Sequence, residues 1–341
     1  MKVLNLVKND DPEAPSSARL ELVEKDIPEP GPGQVLIKME AASCNPSDLY
    51  YMRGEYGVPP DYGCAAGLEG AGIVVKAGRG LIGWRLRGKR VACVRTRGGD
   101  GVWAEYFLTD AKSCLPINKA IPAEQAATFL VNPITALGLL ERARALGSSG
   151  VIQNAAASQV GRMVIRLAKT MTMPVISVVR REEQKELLLG IGAAHVLVTS
   201  APSYEEELRN LAKELKIQVL LDAVAGTETA RTLMCMPNRS TAIVYGVLSR
   251  QADDPYGGSY PAGNMIFAGA RVEGYWLVTD MARLGALGIL KRSRKLQKMF
   301  AAGELKTAIQ SRSSLEDYPA AIDHYAQNMS AGKAILVFDD G

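Results

Sequence analysis

Histidine is almost missing from this chain, which has two in 341 residues, His195 and His324. Cysteine is scarce as well: five residues with no C-x-x-C pair, the pattern of reduced, buried thiols in a cytosol-like compartment. No apolar run approaches the roughly 20 residues of a membrane span. The opening MKVLNLVKNDD has neither the apolar core of a secretory signal nor an Arg/Ser-rich transit helix. A cytoplasmic protein is therefore expected, with a mitochondrial one left open in case a presequence had been removed. Charge of one sign is lacking too. Forty basic against 36 acidic residues leave +4, too mild for nucleic acid. That total suits a site for anionic ligands, although lysines kept for solubility would give the same. No repeat and no low-complexity segment interrupts the chain. What remains is an ordinary globular composition, 47% hydrophobic and 22% charged, long enough for two domains with two cores.

The most informative stretch is Val151–Arg181, which reads as strand, tight turn, helix, strand, and then two arginines. Ala155-Ala156-Ala157-Ser158 form a turn of small residues, Gly161 follows, and Met163, Val164, Leu167 and Ala168 recur at helical spacing. This is the layout of a dinucleotide-binding βαβ unit, where small residues let a pyrophosphate approach the free N–H groups of a helix N-terminus. The G-x-G-x-x-G fingerprint is incomplete, since Ala155 and Ala157 stand where glycines are expected. The bare alternative is an ordinary strand–turn–helix. An acid at the end of the second strand grips a ribose 2′-hydroxyl, whereas arginine accommodates a 2′-phosphate. Here Arg180 and Arg181 hold that place, which favours NADPH; a solvated basic cap on the strand end is the plainer reading. Expected cofactor contacts are Ala157, Ser158, Gln159, Val160, Gly161, Arg180 and Arg181.

Residues 1 to about 125 are strand-rich and punctuated by Gly and Pro, with strands expected at Gln34–Met39, Gly88–Val94 and Trp103–Leu108. They suit a partly closed β-barrel. From Ala123 the pattern turns helical, with an amphipathic helix over Ala136–Ala145. Strands then alternate with helices: Val151–Gln153, Val175–Val179, His195–Val198, Val219–Asp222 and Ala242–Tyr245. That is the rhythm of an α/β, doubly wound parallel sheet. A helix around Arg292–Ala302 and a strand at Ala334–Phe338 return to the barrel. The expected division is 1–125, completed by about 290–341, and 126–289. Two loops stand apart. Arg95–Gly101 is basic and reads as a solvated loop, or one bordering the site. Ser249–Met265 is polar and reads as a flap near the cofactor.

Further motifs run in order along the chain. They include Asn45-Pro46-Ser47-Asp48, Gly67-Leu68-Glu69-Gly70-Ala71-Gly72, Trp103-Ala104-Glu105-Tyr106, Asn132-Pro133-Ile134-Thr135-Ala136, Asp222-Ala223-Val224-Ala225-Gly226 and Gly274-Tyr275-Trp276-Leu277. With these the sequence resembles the medium-chain dehydrogenase/reductase superfamily, closest to its zinc-free quinone reductases and mitochondrial-type 2-enoyl thioester reductases. The resemblance implies a GroES-like barrel beside a Rossmann domain, and a homodimer formed through the Rossmann sheet edge. Zinc members carry a Cys, a Gly-His-Glu and a second Cys; those places hold Asn45, Leu68 and Val131, none of them a thiolate or imidazole. No metal is expected.

Without a metal, NADPH can deliver hydride only to an acceptor that stabilises its own charge, such as a quinone or an α,β-unsaturated carbonyl. The resemblance places Tyr56 as proton donor or enolate stabiliser, against simple packing in a turn beside Gly57. It sets Asn45 facing the nicotinamide; the alternative is an Asn bonded to its own turn. Thr135 would lie near the nicotinamide or cap its helix, and Asn132 and Trp276 would help line the pocket, although a lone Trp is more often core. Val224, Tyr245 and Gly246 follow parallel strands, where ligands gather. Thioester and quinone remain unseparated. A catalytically weak NADPH-binding protein with a structural or RNA-binding role is the alternative, against which the lack of aromatic-basic clusters weighs.

Overall fold

The computed structural model describes residues 1–96, 98–249 and 260–338. Arg97 of the Arg95–Gly101 loop, and residues 250–259 of the expected flap, lie outside the described residues. The chain forms two units, Met1–Val131 with Lys295–Gly341, and Asn132–Arg294.

The first unit is built on one long strand. β1 (Lys2–Leu6) and β2 (Leu20–Glu24) pair antiparallel, and β3 (Gln34–Ser43) follows. After α1 (Pro46–Met52) come β4 (Glu69–Ala77), α2 (Leu81–Leu86), β5 (Arg90–Val94), β6 (Tyr106–Asp110), β7 (Cys114–Pro116) and the short α3 (Ala123–Ala126). β3 pairs antiparallel with both β4 and β6. The expected strand over Trp103–Leu108 starts later, at Tyr106, because Trp103 and Ala104 turn to β1: the Trp103 carbonyl accepts from the Leu4 N–H at 2.9 Å and Ala104 bridges Val3. The Trp103 ring is fully buried and packs edge-on against Tyr318, ring centroids 5.1 Å apart. Arg95 is not solvated either. Its guanidinium lies over the Tyr51 ring and bonds Asp61 at 2.8 Å and the Gly99 carbonyl at 2.9 Å.

In the second unit α4 (Asn132–Ala145) leads into β8 (Val151–Gln153), α5 (Gln159–Thr170), β9 (Val175–Val179), α6 (Glu182–Gly190), β10 (His195–Val198) and α7 (Tyr204–Glu214). β11 (Val219–Asp222), α8 (Thr227–Cys235), β12 (Thr241–Val244), α9 (Ala262–Phe267), β13 (Arg271–Gly274) and α10 (Leu277–Ala301), interrupted at Gly285, complete it. All pairings are parallel, in the order β10-β9-β8-β11-β12-β13. β8, β9 and β11 are buried along their whole length, as central strands covered on both faces must be. α5 turns Met163, Val164, Leu167 and Ala168 inward. Gly161 is demanded by close approach, since a Cβ there would stand 2.4 Å from the Ala156 carbonyl oxygen.

A buried polar knot anchors the Gly-Tyr-Trp-Leu motif. Tyr275 donates to Asp280 at 2.8 Å; Asp280 also pairs with Arg292, whose guanidinium reaches Glu141 at 2.8 Å. The chain then returns to the first unit as β14 (Ile309–Ser313), α11 (Tyr318–Gln327) and β15 (Lys333–Val337). β15 lies antiparallel on β3 and closes a sheet of order β14-β15-β3-β4-β5-β7. Among the described residues, no helix is long and apolar enough to cross a membrane.

Candidate active site

In the second unit the parallel register brings the carboxyl ends of β8, β9, β11 and β12 to one edge, and the strand order reverses between β8 and β11. That switch point is where a crevice opens in such sheets. The turn after β8 takes a left-handed residue at Ala155, φ 44°, a conformation ordinarily left to glycine. Ser158 then caps α5, its hydroxyl accepting from the Gly161 N–H at 3.1 Å. The side chain thus satisfies the N–H of the third residue of the helix, with Gln159 and Val160 forming its tip.

Past β9, Arg180 and Arg181 are exposed, and among the described residues neither guanidinium has a carboxylate at ion-pair distance. Asp222, fully buried at the end of β11, ties the neighbouring loops together. It accepts from the Asn154 amide at 2.5 Å, from the Val224 and Ala225 N–H groups at 2.9 Å, and from the Thr229 hydroxyl. Tyr245 donates its backbone N–H to the Asp222 carbonyl at 2.8 Å, while among the described residues its buried hydroxyl has no hydrogen-bond partner. Burial drives that phenol's pKa well up, so it stays a donor. Gly246 passes tight against Ala223, where a Cβ would meet the carbonyl oxygen at 2.7 Å.

A dinucleotide fits these residues: a buried phenol, the N-terminal tip of α5, a turn of small residues and two exposed cations with no carboxylate at ion-pair distance among the described residues share one sheet edge. Asn132 opens α4, and its buried amide nitrogen has no hydrogen-bond partner among the described residues. Thr135 lies inside α4, 8% exposed, so the capping role considered for it is corrected: the helix begins three residues earlier, at Asn132. Trp276 stands just ahead of α10, 38% exposed, and is not core.

In the first unit Tyr56 sits in the loop after α1, between Gly54 and Gly57, both at positive φ. It is half-buried and its ring packs against the hydrophobic core. Tyr51, its neighbour in sequence, is committed elsewhere, its hydroxyl accepting from the Asp61 N–H at 2.7 Å.

Asn45 is 1% exposed and both ends of its amide are taken. Its oxygen accepts from the Lys333 ammonium at 2.5 Å and its nitrogen donates to Glu69 at 2.9 Å. Glu69 also accepts from Ser43 at 3.1 Å and from the Val131 N–H at 2.9 Å. Asp48 accepts from the Asn45 and Leu68 N–H groups, each at 2.8 Å. The cluster therefore holds one cation and two carboxyls. Burial raises the Glu69 pKa, pushes that of Asp48 up to about 7 and lowers that of Lys333. Asn45 thus reaches neighbouring side chains, not solvent, and its turn is closed by Asp48.

Comparison with known proteins agrees with both units. The pattern described as "Alcohol dehydrogenase GroES-like domain" matches residues 31–119, and that described as "Zinc-binding dehydrogenase" matches residues 160–291. A mitochondrial enoyl-[acyl-carrier-protein] reductase of Xenopus tropicalis is 30% identical over 93% of this chain and 91% of its own. The crystal structure of a Mesorhizobium loti protein assigned as an NADPH:quinone reductase superposes with a TM-score of 0.89 at 33% identity, covering 99% of this chain and 98% of that one. Another so assigned, from Bacillus thuringiensis, gives 0.86 at 25% identity, covering 99% of each chain.

The chain belongs to the medium-chain dehydrogenase/reductase superfamily.

Within that oxidoreductase superfamily, one of the matching patterns is named for zinc, and the residues of this member do not fit the ion. Leu68 and Val131 offer no ligand atom from their side chains, and the Asn45 oxygen is engaged by an ammonium that would repel a dication. Sequence reasoning missed Lys333 altogether. It saw Asp48 and Glu69 only as letters in motifs. The available signal was the charge itself: acids and a lysine set in otherwise apolar strand and helix starts, where an unpaired charge is costly.

Proposed function

We propose that this protein is an NADPH-dependent, zinc-independent reductase that delivers hydride to the electron-poor carbon of an activated C=C bond, in a 2-enoyl thioester or enone, or to a quinone. The observation that carries the reading is the pair of unpaired arginines at the end of β9, set where a 2′-phosphate would be held. When bound, NADPH supplies the hydride. The chain's own part is to seat the pyrophosphate at the Gln159–Val160 helix tip, the ribose phosphate on Arg180 and Arg181, and the remainder along Ala157, Gly161, Val224, Tyr245 and Gly246. Asn132, Thr135 and Trp276 would line the pocket. Tyr56 completes the reaction. As the C=C π electrons move onto the carbonyl oxygen, its hydroxyl hydrogen-bonds that oxygen and its proton goes to the α carbon; solvent then reprotonates the phenolate. Asn45, fixed by its bonds to Lys333 and Glu69, would face the nicotinamide.

The names of the relatives support both acceptor classes, enoyl thioester on one side and quinone on the other. The reading includes a homodimer through the outer strand β13. Among the described residues β13 pairs only with β12, and the preceding helix α9 leaves Ile266 and Phe267 72% and 87% exposed, which sedimentation would show covered in a dimer.

The deciding experiment is NADPH oxidation with a medium-chain trans-2-enoyl-CoA, run beside Tyr56→Phe. Wild type should turn over and the variant should lose about 100-fold or more in kcat, with NADPH affinity kept. Turnover unchanged in the variant removes Tyr56. Turnover of quinones alone selects the second acceptor. NADPH binding without turnover of either returns the binding-protein alternative.

A further inference from the structure

α2 is built the wrong way round for a helix of a free-standing soluble protein. It docks through Gly83 and Leu86, and Gly83 lies so close to the sheet that a Cβ would touch Ala77 and Val35 at 3.3 Å. The residues that should seek the core point outward instead: Leu81, Ile82 and Trp84 are 64%, 47% and 66% exposed. Single exposed apolar residues need no explanation, but three on six residues do.

Their surroundings are cationic. Arg79, Arg85, Arg87 and Lys89 flank them and are all exposed, and among the described residues none has a carboxylate at ion-pair distance. The stretch 79–90 contains no acid, and its remaining cation, Arg90, is spent on Glu40. Lys112, on the short turn packed beside α2, is exposed too. The one carboxylate next to that turn is Asp110.

We propose that α2 is a membrane-surface contact, seating Trp84, Leu81 and Ile82 at the level of the headgroups of an anionic bilayer while Arg79, Arg85, Arg87 and Lys89 meet the lipid phosphates. An aromatic with a polar edge, two aliphatic side chains and a ring of unpaired cations are what an interfacial contact requires. An acidic protein partner would be met with ion pairs and a flatter surface, and RNA with stacked aromatics interleaved with the cations. A single protruding indole between two aliphatics favours lipid over both. The contact is independent of the reductase reading. Where that reading holds, it keeps the enzyme at the surface into which quinones and acyl chains partition.

The test is cosedimentation of the full chain with phosphatidylserine–phosphatidylcholine vesicles against pure phosphatidylcholine vesicles, with the tryptophan emission followed in parallel. Wild type should bind the anionic vesicles, release them as salt rises, and shift its emission to the blue; Trp103 is already buried and contributes nothing to the change. Leu81→Ser with Trp84→Ser should weaken binding about tenfold or more and abolish the shift. Arg85→Gln with Arg87→Gln should remove the preference for anionic lipid. NADPH binding by both variants controls for folding and is read apart from turnover. No sedimentation with anionic vesicles, equal sedimentation of the variants, or binding to an acidic protein or RNA in place of vesicles would overturn the proposal.

Discussion

The carboxyl edge of the parallel sheet and the buried cluster around Asn45 solve opposite problems with the same kinds of residue. At the edge, the exposed guanidiniums of Arg180 and Arg181 have no carboxylate at ion-pair distance and the buried Tyr245 hydroxyl has no hydrogen-bond partner, both among the described residues. In the cluster, Lys333, Asn45, Glu69 and Asp48 spend theirs on one another. Polar groups without a protein partner at the carboxyl edge of such a sheet are available to a ligand, whereas a fully satisfied buried network specifies geometry. Chemistry that looks alike in a list of polar residues therefore divides into binding and architecture.

Substitutions can break or sharpen this division. The largest effect should come from Lys333→Met, which strands the Glu69 charge away from water. A loss of about 3–5 kcal/mol, or roughly 10 °C in thermal midpoint, is expected by calorimetry. A midpoint within a degree or two of wild type would show that the cluster is not structural. Arg180→Gln with Arg181→Gln should do the reverse. The midpoint should hold, while the Kd for NADPH, measured by titration of nicotinamide fluorescence, rises about 10- to 100-fold. NADH affinity should barely move, and equal losses for both nucleotides would remove the arginines from the 2′-phosphate.

The smallest effect is a slope. Burial pushes the Asp48 carboxyl up to about 7 from 3.8, so between those values the folded chain holds a proton that the unfolded chain has released. Stability contributed by this group is therefore fullest at low pH and falls as pH rises through about 4 to 7. Melting profiles of wild type and Asp48→Asn across that window should converge at the acid end and separate toward neutrality, with the wild-type curve the steeper. Parallel curves would mean that the two N–H bonds outweigh burial and keep the carboxyl ionised throughout.

Much of the binding edge was legible because its signals are local. Val175–Val179 is an unbroken apolar run, which only a strand covered on both faces sustains. Arg180 and Arg181 follow it directly, and Ser158 precedes an apolar helical stripe as a cap should. The outer strand β13 escaped notice because Arg271 and Glu273 make it polar, as befits an edge. The cluster was illegible for a different reason. Lys333 lies 288 residues from Asn45, and nothing in the spacing of either announces the other. β15 brings them together by pairing with β3, a contact that exists only after the barrel closes. The alternative that made Thr135 a cap failed because the helix already begins at Asn132; Pro133 at a helix start marks a beginning without saying which residue on either side is the first.

Asp222 carries one more consequence. Its single carboxylate fastens the Asn154 amide at the end of β8 to the Val224–Thr229 loop after β11, and so clamps together the segments on either side of the strand-order reversal. The backbone there is set by these bonds alone, so on the proposed reading little chain entropy is left to be lost when a nucleotide binds. Amides 224 and 225 should exchange slowly with deuterated solvent even in the empty protein, and adding NADPH should slow them little further.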